Sequence, residues 1–468
     1  MIVFRPYRAI LFLTIFIPFQ ETIILWLPVQ DSIHIWLRFL PEFILYFIFS
    51  LVILNKIFLQ KPLKKTPIDL LVIAFVGLSV IAMLWNKSFT IISVINLRVL
   101  LRYLTIYYLV VNIPISRKQT STLLTIIMVI GLLQGILALG QFISNDFNQI
   151  FVLKSINSEI MGVTKTFAVA KVGAVSGTFP NVFEMTYFLL IALIIILTYG
   201  FLKTNRYIPD PKYLFALIII IWGIFATFKR AALLGIPFLL IAVLYFGEKR
   251  KQIKLVIMAS TALFILFMTS FFLSVWSFDF TQDYEILNSH RQSFSLKTYF
   301  SQPFTAGYWD HLLYNQRIRF ISDVSGAMIR EANFIGYGPD EQKAQKLLVS
   351  LDPIKFEKFG RDFKGFEDVY WVVMFIYYGA FGLAIFLFAL YRLYITSRWL
   401  SKNSLYEEYH ILGTVFSTLI ILVLIFSFID QILEFRVFGF YFWLLAGLVV
   451  NAYYVQRQQL QSQRNLVP

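Results

Sequence analysis

Apolar residues run through this chain in long blocks separated by short polar connections. Crossing a hydrocarbon core of about 30 Å takes roughly 17–25 helical residues. Blocks near that length recur at 10–28, 39–57, 69–85, 92–113, 122–142, 183–201, 213–228, 231–246, 255–275, 369–391, 411–429 and 437–454. The pattern predicts an all-α, polytopic membrane protein with about twelve transmembrane helices. The fourth block holds two arginines and the seventh is short, so these depart most from an ideal span. The first block leads straight into further spans, without a cleavage pattern. Two connections are not short: 143–182 is a medium loop and 276–368 a long one. In the long loop, His311–Phe334 sets Leu312, Leu313, Ile318, Ile321, Val324, Met328 and Ile329 in an approximate helical stripe. The organisation that follows is nine spans over 1–275, a partly helical loop over 276–368, and three spans over 369–468. There is no internal repeat and no low-complexity tract.

Composition excludes a soluble reading. The chain is 59% hydrophobic and 14% charged, against roughly 25% charged for a soluble domain. Its mean hydropathy is +0.73. With no cysteine, neither a disulfide nor a thiolate metal site can form. A net charge of +15 could suggest nucleic acid as a partner, but the placement of the charge argues otherwise. Basic residues alternate by loop: Arg5 and Arg8, Lys56 to Lys65, Arg117 and Lys118, Lys203 to Lys212, Lys249 to Lys254, Arg392 to Lys402, and Arg457 with Arg464. The intervening short loops carry little beyond Arg38, Lys87, Lys229, Arg230 and Arg436. That alternation predicts both termini in the cytoplasm and an even number of spans. The long loop, with 11 basic and 13 acidic side chains, then lies outside; loops of that length escape the charge rule.

Candidate chemistry sits at the outer ends of spans. Arg98 and Arg102 in the fourth block share one helix face by their i,i+4 spacing. Intramembrane charges usually face a bundle interior or a polar cavity. Snorkelling to the headgroups is the bland alternative, easier for Arg98 than for the deeper Arg102. Lys229 and Arg230 occupy a very short outer turn, against the orientation rule; they are either surface anchors or part of a cationic cavity. Together these four cations suit a phosphate or pyrophosphate, whose oxygens match guanidinium forks bidentately.

Four motifs carry a resemblance. The turn Lys229-Arg230-Ala-Ala-Leu-Leu-Gly235 resembles the Ser-Arg-Gly-Ala-Leu-Leu segment of the O-antigen polymerase and O-antigen ligase superfamily. Gly177-Thr-Phe-Pro-Asn181 is similar to its Gly-Thr-Phe-x-Asn-Pro-Asn, with the final Asn-Pro-Asn not intact. Arg319, 17 residues before Gly336 in Phe334-Ile-Gly336-Tyr-Gly338-Pro339, is similar to its arginine followed by Gly-Val-Gly-Pro. Asp368-Val-Tyr-Trp371, with Gly379 and Gly382 beyond, is similar to its His-Asn-x-Tyr-Leu…Gly-x-x-Gly. The motifs fall in the family's order between residues 177 and 382. Ligases of the family have a histidine where this chain has Asp368, which favours a polymerase.

The resemblance implies a membrane-embedded glycosyltransferase of the metal-independent C type, without cofactor, in a bacterial inner membrane. Its donor would be a polyprenyl-pyrophosphate-linked oligosaccharide, handed on the outer leaflet to a sugar hydroxyl of another lipid-linked repeat unit. Membrane lipids and a chain-length regulator protein are the partners it implies. By this reading Asp368 is the base or acceptor-orienting group, and Arg230 and Arg319 stabilise the departing pyrophosphate. Arg98, Arg102, Lys229 and Asn181 would bind substrate, with Arg317 competing with Arg319 as the loop arginine. Ligase-type transfer is one alternative. Another is a twelve-span transporter or lipid-oligosaccharide flippase, which more typically shows two related halves; this chain puts its bulk into one loop.

Overall fold

The structure, a computed structural model, describes residues 6–27, 31–143, 157–160, 163–166, 175–202, 210–227, 229–248, 318–340 and 369–464. Among these residues the helices are α1 (Pro6–Phe16), α2 (Gln20–Trp26), α3 (Asp31–Phe58), α4 (Asp69–Trp85), α5 (Ile91–Leu101), α6 (Leu104–Asn112) and α7 (Arg117–Ile143). They continue with α8 (Val182–Leu202), α9 (Pro211–Ala226), α10 (Arg230–Phe246), α11 (Ile318–Arg330), α12 (Tyr370–Asn403), α13 (Glu407–Phe426) and α14 (Arg436–Arg464). One short antiparallel hairpin, Asn157–Ile160 with Val163–Thr166, departs from the all-helical expectation. Its register pairs Ile160 with Val163 and Glu159 with Thr164, and β-branched residues suit such a ribbon.

Among the described residues seven helices are long and apolar enough to cross a membrane, or eight if the bent pair α5–α6 counts as one span. Three more, over Asp69–Trp85, Pro211–Ala226 and Ala231–Phe246, are apolar but shorter. Eleven of the twelve apolar blocks thus fall on an apolar helix, and 255–275 lies outside the described residues. The chain is a polytopic membrane-type helical bundle.

α8 sits at its centre, apolar on every face, packed by α7, α9, α10, α13 and α14. A helix apolar all round belongs in an interior. α12 packs on α4, α13 and α14, and α6 lies along α14. Lipid tails are as apolar as leucine, so close packing and polar contacts, not apolar burial alone, hold such helices together.

Three helix irregularities face one end of the bundle. Pro41 inside α3 has no N–H to give Leu37 four residues earlier, and the Gln20 amide fills the gap by donating to the Leu37 and Arg38 carbonyls, each at 3.0 Å. α5 and α6 meet at a 43° bend just after Arg102. α12 is broken at Gly379, whose φ of 66° and ψ of −173° are non-helical. The opposite end gathers the start of α1, the start of α7 and the end of α14. There the Tyr7 hydroxyl donates to the Gln119 carbonyl at 3.3 Å, and the Arg117 guanidinium lies 3.8 Å over the Tyr406 ring.

Candidate functional site

The irregular end concentrates the charge of a chain that has little. Glu21, in the first turn of α2, accepts from Arg38 Nε at 3.0 Å and from Arg436 at 2.8 Å. Arg436 opens α14, and the next backbone N–H, of Val437, donates to Glu184 at 3.2 Å. A carboxylate at a helix N-terminus meets both free N–H groups and the positive end of the dipole. Glu42, buried beside Pro41, pairs with Arg98 and, at 3.6 Å, with Arg102. Arg102 also donates to the Glu434 carbonyl at 2.6 Å and stacks over Tyr103 at 4.9 Å. Lys229 reaches Asp430 at 3.1 Å and lies 3.3 Å from the Phe183 ring centre, while the Tyr187 hydroxyl donates to the same carboxylate.

These contacts converge on the linker between α13 and α14. Within seven residues Asp430 takes Lys229, the Glu434 carbonyl takes Arg102, and Arg436 takes Glu21. Five cations (Arg38, Arg98, Arg102, Lys229, Arg436) face four carboxylates (Glu21, Glu42, Glu184, Asp430), and the linker itself adds the carboxylate of Glu434. A charge in a low-dielectric interior is costly unless a partner lies this close. Arg98 is the most open of the five, its side chain 33% exposed against 11% for Arg102. A guanidinium held by a carboxylate through one terminal nitrogen and a third exposed can take up an added anion.

A second arrangement joins two of the sequence motifs. The segment Phe334–Asp340 docks against the break in α12: Tyr337 and Gly338 donate their N–H groups to the Ile376 and Tyr377 carbonyls at 2.8 and 2.9 Å, and Phe381 N–H returns to Phe334 O at 3.2 Å. The break therefore leaves those backbone groups paired, as a membrane interior demands. On its other side the α4–α5 connection, together with Asn96 of α5, grips the segment. Asn86 donates to Gly336 O at 2.7 Å, Ser88 to Tyr337 O at 2.9 Å, Asn96 to Pro339 O at 2.9 Å and Thr90 to the Asp340 carboxylate at 3.0 Å. A Cβ on Gly336 would lie 2.4 Å from the Gly379 nitrogen, and one on Gly379 would lie 2.1 Å from Phe334 O. α11 precedes this segment, burying Val324, Ala327 and Met328 against Val369, Val372, Val373 and Ile376. Burial lifts the Tyr337 phenol to about 12, so it remains a donor to Glu331.

Of the residues expected to act, Arg98 and Arg102 do share a face and a partner, and Lys229 lies at the same end. Asn181 has a local task instead: its side-chain oxygen accepts the Glu184 N–H at 2.8 Å and caps α8. The turn before it is built the same way, Gln134 and Gln141 holding Thr178 and Gly177 through both of their amide ends. Arg230 and Arg319 stand in the first turns of α10 and α11, with their side chains outside the described residues. Arg317 and Asp368 lie outside them altogether, as does most of the loop over 276–368. Among the described residues no group of three or more His, Cys, Asp or Glu is placed to hold a metal ion. The acidic partners Glu21, Glu42, Glu184 and Asp430 were not anticipated. The available signal was their position, at the edge of apolar blocks where an ionisable side chain is costly.

Comparison with protein-family models and with curated proteins finds no match for this chain.

Proposed function

We propose that the protein is a polysaccharide polymerase of a bacterial inner membrane, with twelve spans, both termini in the cytoplasm and its active site on the outer face. It transfers a glycan from a polyprenyl-pyrophosphate carrier to a lipid-linked repeat unit. What supports this reading is the convergence of Arg102 and Lys229 on one linker at one end of the bundle, with Arg98 joined to Arg102 through Glu42. An anionic leaving group is what such a cluster serves.

In the proposed reaction an acceptor hydroxyl oxygen attacks the anomeric carbon of the donor glycan. The carbon–oxygen bond to pyrophosphate breaks, and the polyprenyl pyrophosphate leaves with the electron pair. Asp368 orients the hydroxyl and takes up its proton. Arg230 and Arg319 face the charge growing on the leaving group, and Arg98 and Arg102 hold the donor phosphates before transfer. Glu42 keeps those two guanidiniums in place without neutralising both.

The test is the lipid-linked glycan of a strain lacking the protein. Single repeat units accumulating on the carrier at the outer leaflet are the expected result. Full-length polymer left on its carrier identifies a ligase-type transferase, and units retained on the cytoplasmic leaflet identify a flippase; either outcome rejects the polymerase.

A further inference from the structure

The end of the bundle away from the charged cluster carries a different feature. The connection from α3 to α4 contains Lys61, Lys64 and Lys65, all exposed, with Lys56 at the end of α3. It is pinned in place rather than merely strung between helices. Asn112, buried at the end of α6, accepts from the Lys56 ammonium at 2.8 Å and from the Lys64 backbone N–H at 3.0 Å. The Lys56 ammonium also donates to Pro62 O at 3.2 Å, and the Tyr454 hydroxyl donates to Lys65 O at 2.8 Å. The nearby carboxylate, Asp69, is occupied by Thr66, whose N–H it accepts at 2.7 Å. Lys61, Lys64 and Lys65 have no ion-pair partner among the described residues. Arg392 and Arg457 lie within electrostatic reach of the same Tyr454 hydroxyl.

Apolar side chains bracket these ammonium groups. Phe58 is 82% exposed, Leu59 53% and Leu63 51%. A water-facing loop gains nothing from two exposed leucines alternating with lysines, whereas a loop at the edge of the hydrocarbon does: the leucines enter the acyl boundary and the lysines reach the phosphates. A soluble anion would answer only the lysines. We infer that the Leu59–Lys65 connection is a binding site for the headgroup of an anionic phospholipid in the leaflet at this end, with Lys61, Lys64 and Lys65 on its phosphate and Leu59 and Leu63 beside its acyl chains.

The full-length protein in detergent, titrated with lipid and followed by native mass spectrometry, tests the site. Phosphatidylglycerol is expected to be retained more tightly than phosphatidylcholine of the same chains. Each surface lysine is worth about a factor of five in such attraction, so Lys61→Gln, Lys64→Gln and Lys65→Gln together should weaken phosphatidylglycerol by on the order of a hundredfold. Arg8→Gln, Lys118→Gln and Lys402→Gln remove three exposed charges elsewhere and should leave it in place. Leu59→Ser with Leu63→Ser keeps every charge and should weaken both lipids. Equal retention of the two lipids by the unaltered protein, or an equal loss in the control triple variant, overturns the site. Displacement of the lipid by glycerol 3-phosphate at matching concentration overturns it in favour of a soluble anion.

Discussion

Lys229 and Asp430 stand 201 residues apart in sequence and form an ion pair of 3.1 Å that ties the α9–α10 turn to the α13–α14 linker. The Lys229 side chain is 19% exposed and that of Asp430 7%. Removing one partner of a pair so placed leaves a charge without compensation, a loss of roughly 3–5 kcal/mol for full burial and less here. Asp430→Ala should therefore destabilise the protein by about 2–3 kcal/mol, read as thermal unfolding in detergent. Lys229→Ala with Asp430→Ala should cost clearly less than the sum of the single changes. Strict additivity would show that the pair contributes nothing.

Glu42 allows a ranking. It is the shared partner of two guanidiniums, whereas Arg102 has the Glu434 carbonyl besides and Arg98 is a third exposed. Glu42→Gln takes the paired carboxylate from both arginines at once and should cost the most, about 3 kcal/mol. Arg102→Ala should cost less, and Arg98→Ala no more than about 1 kcal/mol. Unfolding curves of the three variants in one detergent give the order. Arg98→Ala as the most damaging would mean that Arg98, not Glu42, organises the cluster.

The helices were legible in the sequence because apolar length is a local property: each block that must lie in hydrocarbon declares itself by its own residues. Charge pairing is not local. Glu21 and Arg436 are 415 residues apart, and nothing near either names the other. Counting lysine and arginine by loop, which serves orientation well, also passes over the acids. Arg98 and Arg102 were legible as a pair because i,i+4 spacing puts them on one face, yet Glu42 that joins them lies in another helix. Asn181 drew attention through a motif, and its cap on α8 shows that a motif position can serve backbone geometry. The 43° bend after Arg102 and the break at Gly379 depend on what packs alongside, so the apolar pattern ran through both.

Gly336 and Gly379 meet so closely that neither has room for a methyl group, and both have positive φ, 85° and 66°. Alanine at either position is strained in its backbone and also pushes the docked segment away from α12. Gly379→Ala should destabilise by about 3 kcal/mol or more. Gly336→Ala should additionally expose the Phe334–Asp340 segment to protease, since its hydrogen bonds to Ile376 and Tyr377 would be lost. Limited proteolysis followed by mass mapping reads this. Alanine variants as resistant and as stable as the unaltered protein would show that the segment does not need this docking.

The proposed transfer makes its sharpest demand on residues that stability measurements do not reach. Arg230 and Arg319 are assigned to the departing pyrophosphate, so Arg230→Ala or Arg319→Ala should abolish polymer while protein level stays normal. Lysine should rescue either poorly, because an ammonium lacks the planar fork that meets two phosphate oxygens at once. Arg317→Ala, made in parallel, decides which loop arginine acts. Asp368 gives the cleanest separation. A carboxylate beside arginines stays ionised, because positive charge lowers its pKa, and is for the same reason a weak base. In the proposed transfer it therefore orients the acceptor hydroxyl at least as much as it removes the proton. Asp368→Asn keeps the size and one acceptor oxygen but removes the charge, and should leave single lipid-linked repeat units in place of long chains. If Asp368 were only an interfacial charge before α12, asparagine would be nearly silent there, since a neutral amide suits a helix end at an interface. Glycan chain length in the Asp368→Asn strain, at matched protein level, distinguishes the two: full-length polymer removes Asp368 from the reaction.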